Sequence, residues 1–364
     1  MLGLETIWAW LKGFRQKPAP DDASPRVPRS HVVLLDGTMS SLTPGSETNI
    51  GLTYRLLTDA TQEQPQDPRL NVYYEPGIQW RGILHAHEVM AGIGINRQIR
   101  RAYVWLAKSY EPGDRVFLMG YSRGAYAVRS LGGLIDKMGL LRPDAVTESR
   151  VEALYDLYRS DAASAQADAM RAEYCRADDA PISFLGVYDT VRALGMRYPL
   201  VWRFLPLPHP FHTHELGEHI KVARQALAMD ETRVAYRPIL WNTDRAVAGQ
   251  SVSQVWFKGS HGDIGGQLNG NDAARPRANL SLVWMLEEAE ATGLPLPPDW
   301  KERFPTDEFA PSVGNFSGFG KLFWERRRRE IGADASESLH PTAQAWANDL
   351  GIKIEAPSDQ AASG

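Results

Sequence analysis

A mostly parallel β-sheet with helices on both faces is the α/β fold that this sequence predicts, and three observations predict it. The runs Val32 to Leu35, Asn71 to Tyr74, Arg115 to Met119, Ile182 to Tyr188 and Gln254 to Phe257 are short and nearly unbroken in apolar character, as strands buried on both faces must be. Stretches with helical spacing separate them, and that alternation is the signature of βαβ units. The chain has 364 residues, 43% of them hydrophobic and 23% charged, which is enough length and apolar content for a sizeable core.

Leu4, Ile7, Trp8, Leu11 and Phe14 share one face of a helix over Met1 to Arg15, and Lys17 to Pro28 reads as a Pro-rich charged linker. Residues 1–29 thus stand apart from a main domain over 30–345, with a tail over 346–364. Docking of that helix on its own domain or on a partner is the simpler expectation; peripheral contact with a membrane is the sharper one. Glu5 interrupts the apolar run, so no secretory signal is expected, and no stretch approaches the roughly 18 to 20 apolar residues that cross a bilayer. A chain cytoplasmic as synthesised is expected. Beyond the first strand, helices are expected over Ile50 to Thr58, Ile93 to Ser109, Ala125 to Met138, Val151 to Tyr174, Val222 to Met229 and Leu280 to Ala291. Gly139 and Gly293 supply stops. Residues 198–216, rich in Pro, Trp, Phe, Leu and His, read as an irregular insertion able to cover a cleft.

Composition removes several classes of function. Forty basic against forty-four acidic residues leave a net charge of −4, without the basic footprint of a nucleic-acid binder. Cys175 is the only cysteine, so neither an intramolecular disulfide nor a Cys-ligated zinc site exists. His209, His212, His214 and His219 suggest a metal, but His214 and His219 are five apart and fall on different helix faces, so no metal or other cofactor is expected. Arg326 to Arg329 reads as a solvated, arginine-rich helix end.

The chemistry concentrates at Gly120-Tyr121-Ser122-Arg123-Gly124, where a strand runs into a helical pattern. A serine hydroxyl is a poor nucleophile until a sharp strand-to-helix turn lifts it toward a base, and that turn admits only small residues two places to either side. Gly120 and Gly124 meet the demand. His261, in a glycine-flanked loop after the last strong strand, is the expected base, and Asp189, closing the strand from Ile182, the expected orienting acid. Asp263 and Asp244 are the alternative acids. Backbone N–H groups of Arg123 and of the loop Asp36-Gly37-Thr38 are the candidates to hold an oxyanion. Tyr121, Trp202 and Phe204 are candidate substrate contacts.

The motifs Leu35-Asp36-Gly37-Thr38 with Thr48-Asn49, Tyr74-Glu75-Pro76-Gly77, Tyr110 to Arg115 leading into the serine turn, Gly186 to Val191, Ala226 to Glu231 and Trp256 to Asp263 carry a specific resemblance. Over about residues 31 to 345 the chain resembles the type VI secretion phospholipase effectors of the first lipase class, and the wider α/β-hydrolase family sharing their catalytic domain. The resemblance implies an α/β-hydrolase fold, a Ser122, Asp189, His261 triad, acyl esters of phospholipids as lipid substrates, export by a type VI secretion apparatus, and an immunity protein as a further partner. Leu268 and Thr232 stand where the family tends to carry an aromatic and an arginine. A soluble esterase, or an adaptor that keeps the scaffold without catalysis, is the competing expectation.

Overall fold

The computed structural model describes residues 26–63, 69–77, 93–160, 165–178, 180–191, 216–316, 325–352 and 354. The helix expected over 1–15 and nearly all of the insertion expected over 198–216, with Trp202 and Phe204, lie outside them.

Seven parallel strands form one sheet in the order β2-β1-β3-β4-β5-β6-β7: β1 (Ser30–Leu35), β2 (Leu70–Glu75), β3 (Arg115–Tyr121), β4 (Ile182–Tyr188), β5 (Ile220–Ala228), β6 (Ser251–Phe257) and β7 (Glu337–Leu339). The helices are α1 (Asn49–Glu63), α2 (Ile93–Ser109), α3 (Arg123–Met138), α4 (Glu148–Arg159), α5 (Ala165–Tyr174), α6 (His261–Gly265), α7 (Arg275–Ala291) and α8 (Gln344–Asp349). Successive strand side chains point to opposite faces, which explains the unbroken apolar runs. Val33, Leu35, Val116 and Leu118 pack in one cluster with Ile99, Tyr103, Leu131 and Leu134 of α2 and α3. Val32, Leu34, Phe117 and Met119 pack in another with Ile50, Leu57, Met285 and Ala289 of α1 and α7.

All five expected strands are present, and α2 has the expected bounds. Two expectations are corrected. Val222 to Met229, expected as a helix, is not helical: Val222 to Ala228 lie in β5, a strand with partners on both sides. Ala and Leu favour helix by only a few tenths of a kcal/mol each, and two backbone ladders with burial of Ala223, Ala226, Leu227 and Ala228 override that preference. The single helix expected over Val151 to Tyr174 is two, α4 and α5. The short β7 gave no apolar run to read.

Chain order and strand order diverge at β1 and β3: β2 lies on one side of β1 and β3 on the other. In an open parallel sheet, such a switch point leaves a crevice at the carboxyl ends of the strands, where ligands bind. Both the Asp36 loop and the serine turn emerge there. Among the described residues, no helix is long and apolar enough to cross a membrane.

Candidate active site

Ser122 sits between β3 and α3 with φ 57° and ψ −118°, a conformation that L-residues seldom adopt and that lifts its Oγ off the sheet edge. The packing around it shows why both flanking glycines are needed. A Cβ on Gly120 would stand 2.5 Å from the carbonyl oxygen of Gly124, and one on Gly124 would stand 2.6 Å from that of Asp36.

The three expected residues meet here. Nε2 of His261 is 2.9 Å from Ser122 Oγ, and its Nδ1 is 2.5 Å from Asp189 Oδ2. Ser122, His261 and Asp189 are all buried. A carboxylate at Nδ1 keeps the proton on that nitrogen and leaves Nε2 as acceptor for the serine hydroxyl. Burial pushes the His261 imidazole below its ordinary value, and the bond to Asp189 only partly offsets this. Burial would raise the Asp189 carboxyl, but the Arg329 guanidinium and then the His261 bond outweigh it and hold it below the carboxylate range.

Arg329 corrects the reading of Arg326 to Arg329 as a solvated helix end. That segment is not helical, and the Arg329 side chain is buried at 4% exposure, with Nη1 2.5 Å from Asp189 Oδ1 and Nη2 2.9 Å from Oδ2. Of two further residues at the imidazole, Tyr236 has no signal in the sequence, whereas Glu231 closes the Ala226 to Glu231 motif. The ring of Tyr236 meets that of His261 edge-on at 4.8 Å, under the guanidinium of Arg233. Glu231, buried and paired with Arg233 at 2.6 Å, accepts from the His261 backbone N–H at 3.3 Å. Tyr121 is fully buried, with its ring 4.9 Å from the imidazole and its hydroxyl donating to the His261 carbonyl. It props the base from below, so its expected role as a substrate contact is corrected.

The alternative acids do not reach His261. Asp263 accepts from the Ser260 backbone N–H, the Ser260 and Ser312 hydroxyls and the Val313 N–H, capping the start of α6, whose first residue is His261. Asp244 is exposed.

The Asp36 loop also differs from expectation. The N–H of Asp36 donates to the Glu75 carbonyl, and that of Gly37 to the Asp36 carboxylate at 2.7 Å, so neither is free for an oxyanion. The N–H groups of Thr38, next on that loop, and of Arg123, first in α3, have no partner among the described residues. Thr48 and Tyr74 donate to the Asp36 carboxylate as well, while Asn49 ties α1 to the Ile264 carbonyl of α6. The sequence motifs around Asp36, Thr48 and Tyr74 therefore make one bracket under the loop. Burial raises the Asp36 carboxyl to about 6 against these hydrogen bonds.

The half-buried Arg123 side chain has no hydrogen-bond or carboxylate partner among the described residues, and burial lowers its guanidinium below the ordinary value while Tyr236 partly offsets this. His219 pairs with Asp136 at 2.9 Å, and no group of three or more His, Cys, Asp or Glu among the described residues is placed to hold a metal. A buried serine, imidazole and carboxylate in this relay suit acyl transfer through a covalent serine intermediate.

Comparison with known proteins adds family information. The family model described as "T6SS, Phospholipase effector Tle1-like, catalytic domain" matches residues 29–288. The uncharacterized protein YEL023C of Saccharomyces cerevisiae is 27% identical over 233 residues, covering 57% of this chain and 32% of that protein. Among solved structures, an uncharacterized protein from Pseudomonas aeruginosa shares 16% identity at a TM-score of 0.40, over 77% of this chain and 49% of that one. The Tle1 effector bound to the VgrG spike of the type 6 secretion system shares 14% at 0.43, over 95% and 86%. The chain thus spans about a third of the yeast protein's length and about half of the Pseudomonas one.

Proposed function

The chain belongs to the Tle1-like family of type VI secretion phospholipase effectors through their catalytic domain, and on that premise we propose that it is a lipolytic serine hydrolase cleaving acyl esters of phospholipids. The observation that carries the chemistry is the unbroken relay from Ser122 Oγ through His261 to Asp189, at 2.9 and 2.5 Å.

In the proposed reaction His261 Nε2 takes the Ser122 proton as Oγ attacks the ester carbonyl, and Asp189 stabilises the imidazolium. The N–H of Arg123, with that of Thr38 in place of Asp36 and Gly37, holds the oxyanion. His261 then returns the proton to the departing lysophospholipid alcohol, and water releases the acyl group by the same steps. A phosphodiester beside the scissile ester would give the Arg123 guanidinium, which has no carboxylate partner among the described residues, an anion to pair with, which favours a phospholipid over a neutral ester. Delivery by a type VI secretion apparatus belongs to the same proposal and rests on family membership alone.

The test is a panel of phospholipid vesicles and short-chain esters assayed with wild type and Ser122→Ala, alongside labelling by a fluorophosphonate. Acyl release from vesicles and labelling, both abolished in Ser122→Ala, are expected. Hydrolysis of soluble esters alone would make the protein an ordinary esterase. A folded wild type that neither labels nor hydrolyses would make it a scaffold without catalysis.

A further inference from the structure

We propose that Arg329 is a positioning residue of the catalytic relay, fixing the Asp189 carboxylate against His261 by a two-pronged ion pair and neutralising its charge. The inference rests on the reading of Ser122, His261 and Asp189 as the working triad.

Each Asp189 oxygen has two donors. Oδ1 accepts from Arg329 Nη1 at 2.5 Å and from the Ala228 N–H at 3.1 Å; Oδ2 accepts from Arg329 Nη2 at 2.9 Å and from His261 Nδ1 at 2.5 Å. A carboxylate held at both oxygens by a planar fork cannot rotate away from the imidazole. The fork is itself fixed, because Nη1 also donates to the Ala228 carbonyl at 2.8 Å and Nη2 to that of Tyr236 at 2.6 Å. Arg329 lies beyond the matched catalytic region, 29–288, and the segment bearing it is moored to the sheet through β7. There Glu337 accepts from Trp256 Nε1 and from the Gly332 N–H. The C-terminal part of the chain therefore contributes to the site.

Neutralisation has a consequence that simple support would not. The groups facing His261 are Asp189, the Ser122 hydroxyl, the rings of Tyr121 and Tyr236, and the Glu231–Arg233 pair, with Arg123 near Tyr236. Asp189 is the carboxylate on the ring itself, and with Arg329 attached it stabilises an imidazolium less than a lone anion would. Without the guanidinium, the imidazolium gains stability and the base is protonated at higher pH.

The test reads kcat/KM against pH on a soluble ester for wild type, Arg329→Met, Arg329→Gln and Arg329→Lys. Arg329→Met and Arg329→Gln are expected to move the acid limb up by about one pH unit. They should also lower kcat about tenfold or more through lost alignment. Arg329→Lys keeps the charge but not the fork, so its acid limb should stay near wild type while kcat falls. An acid limb unmoved in both neutral variants, or a wild-type kcat in Arg329→Lys, overturns the proposal; if the neutral variants do not fold, Arg329→Lys decides it. Activity that survives Ser122→Ala would instead refute the triad reading, so the two failures are distinguishable.

Discussion

Gly124→Ala tests most directly whether the glycine spacing is there to place the nucleophile. The added methyl would meet the Leu35 carbonyl oxygen first and would stand 2.6 Å from the Asp36 carbonyl oxygen, both in backbone rather than in side chains that could swing away. Ordinary contact needs about 3.4 Å or more, so the start of α3 must retreat from the end of β1 by about 1 Å or more, an overpacking that costs roughly 1–3 kcal/mol. Because Arg123 and Ser122 immediately precede Gly124, the retreat also opens the 2.9 Å Ser122–His261 contact. A misplacement of about 1 Å at a reacting group costs about a hundredfold in rate. The assay is kcat/KM on a soluble ester together with the rate of fluorophosphonate labelling, with unfolding followed in parallel. Both rates should fall about a hundredfold while the protein remains folded. Wild-type labelling with a lowered stability would refute the reasoning, since the glycine would then serve packing alone.

Three other outcomes are expected. Because burial lowers His261 below its ordinary 6.5, its base form persists into mildly acid solution, so kcat/KM should stay level as pH falls through 6.5 and drop only below it; a pH titration with a midpoint at or above 6.5 would contradict this. Asp36 is raised from 3.8 to about 6, so the folded chain takes up its proton more readily than the unfolded one. Wild-type stability should accordingly rise relative to Asp36→Asn, by about 2–3 kcal/mol, as pH falls through 6 toward 3.8, measurable by urea unfolding at several pH values. Arg123→Met keeps the backbone N–H but removes the cation, so it should lower kcat/KM on phospholipid about tenfold or more while a neutral short-chain ester is little affected. Equal losses on both substrates would show that the side chain serves the turn.

What could be read in the sequence follows from how local each signal is. The strands Val32 to Leu35 and Ile182 to Tyr188 were legible because burial on both faces demands continuous apolar residues. The serine turn was legible because its backbone shape excludes all but small neighbours, and His261 because a glycine-flanked loop must end a strand at the same sheet edge. β5 was not, because Lys221-Val222-Ala223-Arg224-Gln225-Ala226-Leu227-Ala228 has helix formers whose small side chains suit a crowded central strand equally well. Arg329 was not, because in a run of four arginines nothing local distinguishes the one that turns inward; its partner lies 140 residues away. Tyr236 shares that difficulty, and Glu231, although it closes the Ala226 to Glu231 motif, reaches the imidazole from outside any periodic element.

The charges around Ser122 and His261 explain why those distant residues matter. Asp189 and Arg329 form one buried neutral pair and Glu231 and Arg233 another, flanking His261 at its ring and at its backbone. Each pair fixes geometry without leaving net charge at the base, since an unpaired buried ion would cost several kcal/mol. Arg123 breaks the pattern, for its guanidinium, on the residue after the nucleophile, has no carboxylate among the described residues. The Arg123 guanidinium and the N-terminus of α3 put positive groups close to Ser122. Negative charge is what the proposed reaction brings there, transiently on the tetrahedral oxygen and permanently on a phospholipid headgroup. The paired charges hold the His261 imidazole in place, and the Arg123 guanidinium suits the substrate of the proposed reaction.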